Sequence, residues 1–400
     1  MVLLVCGSLF VVSGAALRRG CGRARAPVAG GTGGTQRAWA SEVDRVNFST
    51  DGLFSVAPEL SARHTLSGGQ RDGLIAAGMA LVVGLLLAPH VVGIVLVALC
   101  TLGYVGSMGV RLWLFAISLG GADLIQLPDD EAHGAGDEVL ASYTVMVPAL
   151  HEPEVMAALV ANLRRLDYPA ERLQVLLLVE TDDAPTITAA RQAIGAAADI
   201  RILLVPPGGP RTKPKALNYG LTHATGTYIT IFDAEDRPDP LQLRKAALAF
   251  SRLPPEVACL QARLGFFNAG QNLITRWFQV EYSMWFRQLL PGLSKAKAPV
   301  PLGGTSNHFR TQVLVELGAW DPYNVTEDAD LGARLHLSGY RSEVLDSVTL
   351  EEANSDFVNW AKQRSRWYKG YLQTFLVHLR DMRSTRRRLG LYLIYFRWRR

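Results

Sequence analysis

Five short clusters carry the residues of this 400-residue chain that could do chemistry. In Phe232-Asp233-Ala234-Glu235-Asp236, two carboxylates stand one residue apart, and Asp236 can substitute for one of them. At a strand end, Asp233 and Glu235 can share a hard cation. Mg2+ or Mn2+ in such a place completes its shell with phosphate oxygens and water. The bland alternative is a turn capped by aspartate, and Pro238 and Pro240 suit a turn. Upstream, the run Arg211-Thr212-Lys213-Pro214-Lys215-Ala216-Leu217-Asn218 places Lys213 and Lys215 at a helix start. A helix N-terminus with lysines suits an anionic ligand such as a diphosphate, although a solvated charged face has the same look. Glu180, Asp182 and Asp183 form another cluster, and Thr326-Glu327-Asp328 a further one. Gln363, Arg366 and Trp367 stand at i, i+3 and i+4 of a helical stretch over 356–380, so they share one face. An amide, a guanidinium and an aromatic plane in one patch can clamp a pyrophosphate and stack a sugar or a base. A helix lying on a membrane surface would present the same pattern.

These clusters need elements to position them. Residues 143–148 (YTVMVP), 173–180 (LQVLLLVE), 200–205 and 228–232 are short apolar runs that read as strands. Helical periods over 154–166 and 184–198 lie between them. Such alternation makes an α/β fold with a parallel sheet covered on both faces. Ligands of these sheets bind outside the carboxyl ends of the strands. The acids at 180–183 and 233–236 follow strands directly and therefore sit where that rule directs attention.

Hydrophobic residues make up 49% of the chain and charged residues 19%, which excludes wholesale disorder. Cys6, Cys21, Cys100 and Cys259 form no C-x-x-C pair, so neither a disulfide framework nor a structural zinc site is expected. The net charge of +5 hides its layout: residues 1–40 carry +5 and residues 361–400 carry +11, leaving −11 between them. Basic residues beside apolar segments point to anionic lipid rather than nucleic acid, and no nucleic-acid reader motif appears. From 73 to 110 there is no Asp, Glu, Lys or Arg. That length holds two spans, read as a hairpin over 73–88 and 91–118 broken at Ala88-Pro89-His90. The alternative is a buried pair of core helices. Arg63 and Arg71 precede the first span and Arg111 lies near the end of the second, which puts both ends in the cytoplasm. The apolar start at 1–17 has its arginines after it, the wrong order for a secretory signal, and 30–34 reads as a glycine linker. Residues 41–72 show no clear period. The stretch 271–292, rich in Trp, Tyr and Phe, reads as an amphipathic helix suited to sugar rings or a membrane interface.

In order and spacing, the acids after the second strand, the D-x-D-like Asp233–Glu235, the Thr326-Glu327-Asp328 triplet and the Q-x-x-R-W of Gln363–Trp367 resemble family 2 glycosyltransferases. The resemblance covers about 140–380 and is nearest to bacterial exopolysaccharide synthases of the cellulose, chitin and poly-N-acetylglucosamine synthase type. It implies a GT-A (Rossmann-like) nucleotide-sugar domain with a mainly parallel sheet behind a transmembrane hairpin. It also implies that Glu180, Asp182 or Asp183 contacts the nucleotide base, with Asp182 the first choice. Lys213, Lys215, Asn218 and Asp233 would bind the nucleotide sugar. Asp233 and Glu235 would hold Mg2+ or Mn2+, although the family usually has Asp where Glu235 stands. Asp328, with Glu327 beside it, would be the catalytic base, and Gln363, Arg366 and Trp367 would lie at the acceptor and diphosphate.

The expected layout is a poorly ordered region over 1–72, two transmembrane helices over 73–120, a GT-A domain over 139–350, and an interfacial helix with a basic tail over 351–400. The expected activity is inverting transfer from a UDP-linked sugar to a glycan acceptor, at the cytoplasmic face of a multi-pass inner-membrane protein. A lipid acceptor taking one sugar, or a silent membrane subunit that only binds nucleotide sugar, are the alternatives. Polymer-exporting members of the family have further spans after Q-x-x-R-W. Here only 389–396 is apolar, too short to cross a bilayer, so a truncated C-terminus or an export partner protein is expected.

Overall fold

A computed structural model describes residue 39 and residues 41–119 and 124–380. The arginines and linker expected before residue 38 and the basic tail and apolar run beyond 380 lie outside the described residues. The elements are α1 (Glu42–Val56), α2 (Gly68–Leu87), α3 (Pro89–Leu119), β1 (Leu124–Ile125), α4 (Asp129–Gly134), β2 (Tyr143–Ala149), α5 (Met156–Leu163), β3 (Leu173–Glu180), α6 (Ala184–Ile194) and β4 (Ile200–Val205). There follow α7 (Lys213–Leu221), β5 (Tyr228–Ile231), β6 (Arg237–Pro238), α8 (Gln242–Arg252), β7 (Val257–Phe266) and α9 (Leu273–Met284). The chain closes with α10 (Leu290–Lys295), β8 (Asn307–Arg310), α11 (Thr311–Glu316), α12 (Glu327–Leu337), β9 (Arg341–Glu351) and α13 (Phe357–His378).

Among the described residues the strands form one sheet in the order β1-β9-β7-β8-β5-β2-β3-β4, with β6 on β9. β2 pairs parallel with β3 and β5, β3 with β4, β7 with β9, and β9 with β1. Only β8 and β6 run against their neighbours. The apolar run of β3 is buried from Val175 onward because helices cover both faces. One core layer holds Val145, Val147, Leu177 and Phe250, and the other holds Met146, Leu176, Leu178, Ile231 and Trp320.

α2 and α3 are long and apolar enough to cross a membrane, and their large apolar side chains are exposed, including Leu86, Leu87 and Ile94. That exposure removes the alternative of a buried core pair. The break falls at Ala88-Pro89 because proline opens a helix readily and ends the preceding one. α2 starts on a capping box between Ser67 and Gln70. The last turns of α3 pack on the sheet domain, where Leu114 is buried and Ser118 Oγ donates to Gln288 Oε1 at 2.5 Å. The chain then adds β1 to the edge of the sheet.

The expectation that 41–72 is poorly ordered is corrected. Ser41 caps α1 by accepting from the Asp44 amide, and Phe48, Ser49, Gly52 and Leu53 are buried against the sheet domain. Four buried positions in a polar helix make too narrow a stripe to read as a period.

Candidate active site

The turn after β5 is built by Asp236. Its Oδ2 accepts from the Asp233 amide at 2.8 Å and from Thr305 Oγ1, while its Oδ1 is buried with no partner among the described residues. Asp236 is therefore spent on shaping the turn, which leaves Asp233 and Glu235 to face outward from it. Lys213, the first residue of α7, reaches Asp233 Oδ1 and donates to the Gly304 carbonyl at 2.7 Å. Asp328, in the first turn of α12, accepts from the Ala329 amide through Oδ1 at 2.8 Å. A Cβ built on Gly304 would lie 3.4 Å from Asp328 Oδ2 and 3.9 Å from Lys213 Nζ. Gly304 is thus the floor between the triplet and the D-x-D-like pair.

Charge accumulates around this floor. Burial, and then Asp328, push Glu327 up to about 8, and burial pushes Asp328 up to about 6. Burial, with Glu235 and Asp233, pushes Glu152 up to about 7. Glu235 is raised by burial and Asp233, and Asp236 and Glu351 are pushed well above the ordinary carboxyl range by burial and by the same neighbours. Burial opposes the charge on Lys213, but Asp233 and Glu327 outweigh it and hold the ammonium protonated. Among the described residues, seven carboxyl groups answer to this one ammonium.

Other expected residues are placed differently. Lys213 and Lys215 are two positions apart on a helix, so they project to opposite sides. Lys215 is 1% exposed, and its ammonium is bound by the Pro206 and Gly208 carbonyls at 2.6 and 3.1 Å and by Glu180 at 3.5 Å. Asn218 shares that inner face: its amide donates to the Ser49 and Trp320 carbonyls, and its oxygen accepts from the Trp320 amide. Both side chains are consumed by protein partners, which corrects the expectation that they join Lys213. Asp182 is exposed and paired with Arg211 at 2.8 Å. Asp183 caps α6 and accepts from the His151 amide at 2.6 Å, which fixes the turn that carries Glu152. Glu180 is buried beside Lys215, and its Oε2 has no partner among the described residues.

On α13, Gln363 Oε1 accepts from Asn354 Nδ2 at 2.9 Å and Trp367 lies 5.9 Å from Phe278, while Arg366 is exposed. The buried guanidinium of the motif is Arg364, which bonds Glu281 with both terminal nitrogens and stacks near Phe278, Trp360 and Trp367. One turn further on, Gly370 meets Thr326 so closely that a Cβ would lie 2.5 Å from Thr326 Cγ2. The Q-x-x-R-W helix therefore abuts the triplet. Sequence reasoning missed Glu152, Gly304, Thr305 and Glu351. The strand-end rule, applied to β2 and β9 as it was to β3 and β5, reaches both glutamates; a lone glycine carries no signal.

No three carboxylates or imidazoles among the described residues form a metal-holding group. The crowd of raised carboxyls and the unpartnered Asp236 Oδ1 still suit a hard cation that takes a few protein oxygens and fills its shell from a ligand.

A family model described as "Glycosyltransferase like family 2" matches residues 141–370, more than half of the chain, so this protein belongs to that family and is a glycosyltransferase. It is 30% identical over 239 residues to a beta-monoglucosyldiacylglycerol synthase of Nostoc sp., which covers 58% of this chain and 49% of that one. It is 29% identical over 247 residues to a probable glucomannan 4-beta-mannosyltransferase of Arabidopsis thaliana, covering 60% and 56%. The chain thus spans about half the length of these curated relatives. Among solved structures, a mannosyltransferase from Pyrobaculum calidifontis in complex with GDP-Man and Mn2+ is 24% identical over 68% of this chain and 76% of its own, with a TM-score of 0.49.

Proposed function

We propose that this chain transfers a sugar from a UDP-linked donor to a hydroxyl of a glycan acceptor, with inversion, and so forms a β-linked exopolysaccharide at the inner face of the membrane. The observation that carries the reading is Asp328 facing, across Gly304, the lysine that binds Asp233.

Asp328 takes the proton from the acceptor hydroxyl as it attacks the anomeric carbon, and its raised pKa brings its basicity towards that task. Attack from the side opposite the diphosphate inverts an α-linked donor to a β-product, with no covalent enzyme intermediate. Lys213 lies where negative charge would grow on the leaving diphosphate. Asp233 and Glu235 would hold Mg2+ or Mn2+, which when bound neutralises diphosphate charge. Glu180, whose Oε2 is an open acceptor, or Asp182 would read the base. Gln363, Arg366 and Trp367 would meet the acceptor and diphosphate from α13.

The membrane reading draws support from two features. α2 and α3 are exposed and apolar. On α9, Leu273, Trp277, Val280 and Met284 fall on one stripe and are exposed, Trp277 to 65%. Such a stripe beside the hairpin suits the lipid interface. The single-sugar lipid acceptor remains the second reading, favoured by the match to the diacylglycerol synthase.

The test is nucleotide release from detergent-purified protein with Mn2+ and a panel of UDP- and GDP-sugars, beside Asp328→Asn. Release from one donor, retained nucleotide binding in the variant and a roughly 10²–10⁴-fold loss of transfer are expected. Wild-type transfer by the variant removes Asp328 as base. Product length separates polymer from single addition.

A further inference from the structure

Residues 57–71 run from α1 to the first apolar helix along the segment that leads into Glu327 and Asp328. Each contact is specific. Just ahead of the segment, the Cα of Leu53 in α1 lies 2.9 Å from where a Cβ on Gly318 (φ +74°) would stand, so the backbones touch. Asp321 is fully buried, and its carboxylate is held largely from this segment. The Ala62 amide donates to Oδ2 at 2.5 Å, Ser61 Oγ donates to Oδ1 at 3.3 Å, and the Tyr323 amide donates to Oδ1 at 3.1 Å. Arg63 pairs with Asp51 at 2.6 Å and lies 5.5 Å from the Tyr323 ring. Gln70 Nε2 donates to the Leu376 carbonyl at 2.8 Å, and Arg380 donates to the Glu59 carbonyl at 3.0 Å, so the same segment also ties down the end of α13.

A buried carboxylate is costly unless its partners are in place. Two of the three donors to Asp321 belong to the strap, so the start of the 321–328 loop is anchored from it, beside the bonds that Thr212 and Gln373 make to the Pro322 and Tyr323 carbonyls. Within that loop Asn324 relays the constraint: its Oδ1 accepts from the Thr326 amide at 3.0 Å and its Nδ2 donates to Thr374 Oγ1 at 2.8 Å.

We propose that Asp321, gripped by Ser61 and the Ala62 amide, is a positioning residue that aims the Asp328 carboxylate at the Gly304 floor, making the strap ahead of the first apolar helix part of the catalytic machinery. The inference rests on the reading of Asp328 as base.

The experiment is a double-mutant cycle of Asp321→Asn and Asp328→Asn in full-length protein, reading kcat, donor KM and melting temperature with a radiolabelled donor. Misaiming a catalytic group by about 1 Å costs up to roughly 10²-fold, so Asp321→Asn is expected to lower kcat at least about tenfold. Donor KM stays within about twofold, and in the Asp328→Asn background the Asp321 change costs nothing further. A loss that multiplies in the double variant, a donor KM that moves with kcat, or wild-type kcat in Asp321→Asn overturns the proposal. If Asp321→Asn does not accumulate as folded protein, Ser61→Ala carries the same cycle with a smaller loss and the same non-additivity required. Wild-type turnover in Asp328→Asn alone sinks the base reading instead, so the two failures are told apart.

Discussion

Replacing Gly304 by alanine separates folding from catalysis. The new Cβ would sit 3.4 Å from Asp328 Oδ2 and 3.9 Å from Lys213 Nζ. Both are ordinary van der Waals distances, so nothing needs to shift for the methyl to be accommodated. Its effect on the unfolded chain is favourable, and Gly→Ala at a compatible site stabilises by about 0.4–1 kcal/mol. Catalysis should respond in the opposite direction. Oδ1 of Asp328 is engaged by the Ala329 amide, which leaves Oδ2 as the oxygen next to Gly304. An acceptor hydroxyl must come within about 2.6–3.2 Å of that oxygen to lose its proton. A methyl in contact with the same oxygen occupies part of that approach, and a displacement of about 1 Å costs roughly 10²-fold. That is about 2.7 kcal/mol of barrier. The assay is sugar transfer at saturating donor beside a thermal melt. Gly304→Ala is expected to melt no lower than wild type and to lose about two decades of kcat. Transfer at the wild-type rate would show that acceptor and base do not meet over Gly304, and the placement of the reacting atoms would fall with it.

Other outcomes follow from the same geometry. Gly370→Ala puts a Cβ 2.5 Å from Thr326 Cγ2 and 2.8 Å from the Thr326 backbone nitrogen, so α13 must lift; a loss of about 1–3 kcal/mol in a denaturant melt, with a lower kcat, is expected. The base works ionised, so kcat/KM should rise with pH through about 6, where burial places Asp328; a profile flat between pH 5 and 7 would contradict this. Stability runs the other way: Glu327, Asp328 and Glu152 have folded pKa values above the unfolded values of about 4, so the cation-free protein should melt lower as pH rises from about 5 to 8. EDTA should stop transfer and Mn2+ or Mg2+ restore it; unchanged turnover in EDTA removes Asp233 and Glu235 from a metal role.

Local pattern made the parallel half of the sheet legible. β3 coincides with its apolar run because burial on both faces demands continuous apolar residues, while β4, at the sheet edge, keeps only Ile200, Leu203 and Val205 buried. The pairing of β7 with β9, and the reversed β8 between β7 and β5, depend on partners far apart in sequence that no single run announces. The same limit governs the site. Asp233 and Asp328 stood out because acids cluster there. Glu152 and Glu351 each have a second acid close by, Glu154 and Glu352, but their meaning comes from the fold that brings them to one well. Lys215 was misassigned for a reason the sequence did contain, since two residues apart on a helix cannot face one ligand. The strap over 57–71 was hidden because its partners lie hundreds of residues away, Ser61 and the Ala62 amide at Asp321 and Gln70 at the Leu376 carbonyl, and no local pattern announces such pairings.

The charge of the well constrains the order of events on the proposed reading. A diphosphate carrying about two charges, held roughly 5 Å from one ionised carboxylate at an effective dielectric of about 20, is repelled by about 7 kcal/mol. One lysine, already bound to Asp233, cannot offset several such terms. The anionic donor can therefore enter only with positive charge beside it or with the carboxyls protonated, whose pKa values are raised first by burial and then by their mutual repulsion. Donor and divalent cation must then each raise the other's affinity by an equal factor, because coupling free energy is reciprocal. A donor dissociation constant that does not change between EDTA and saturating Mn2+ would mean that the well does not lie against the diphosphate, and the acids at the ends of β2, β5 and β9 would need another explanation.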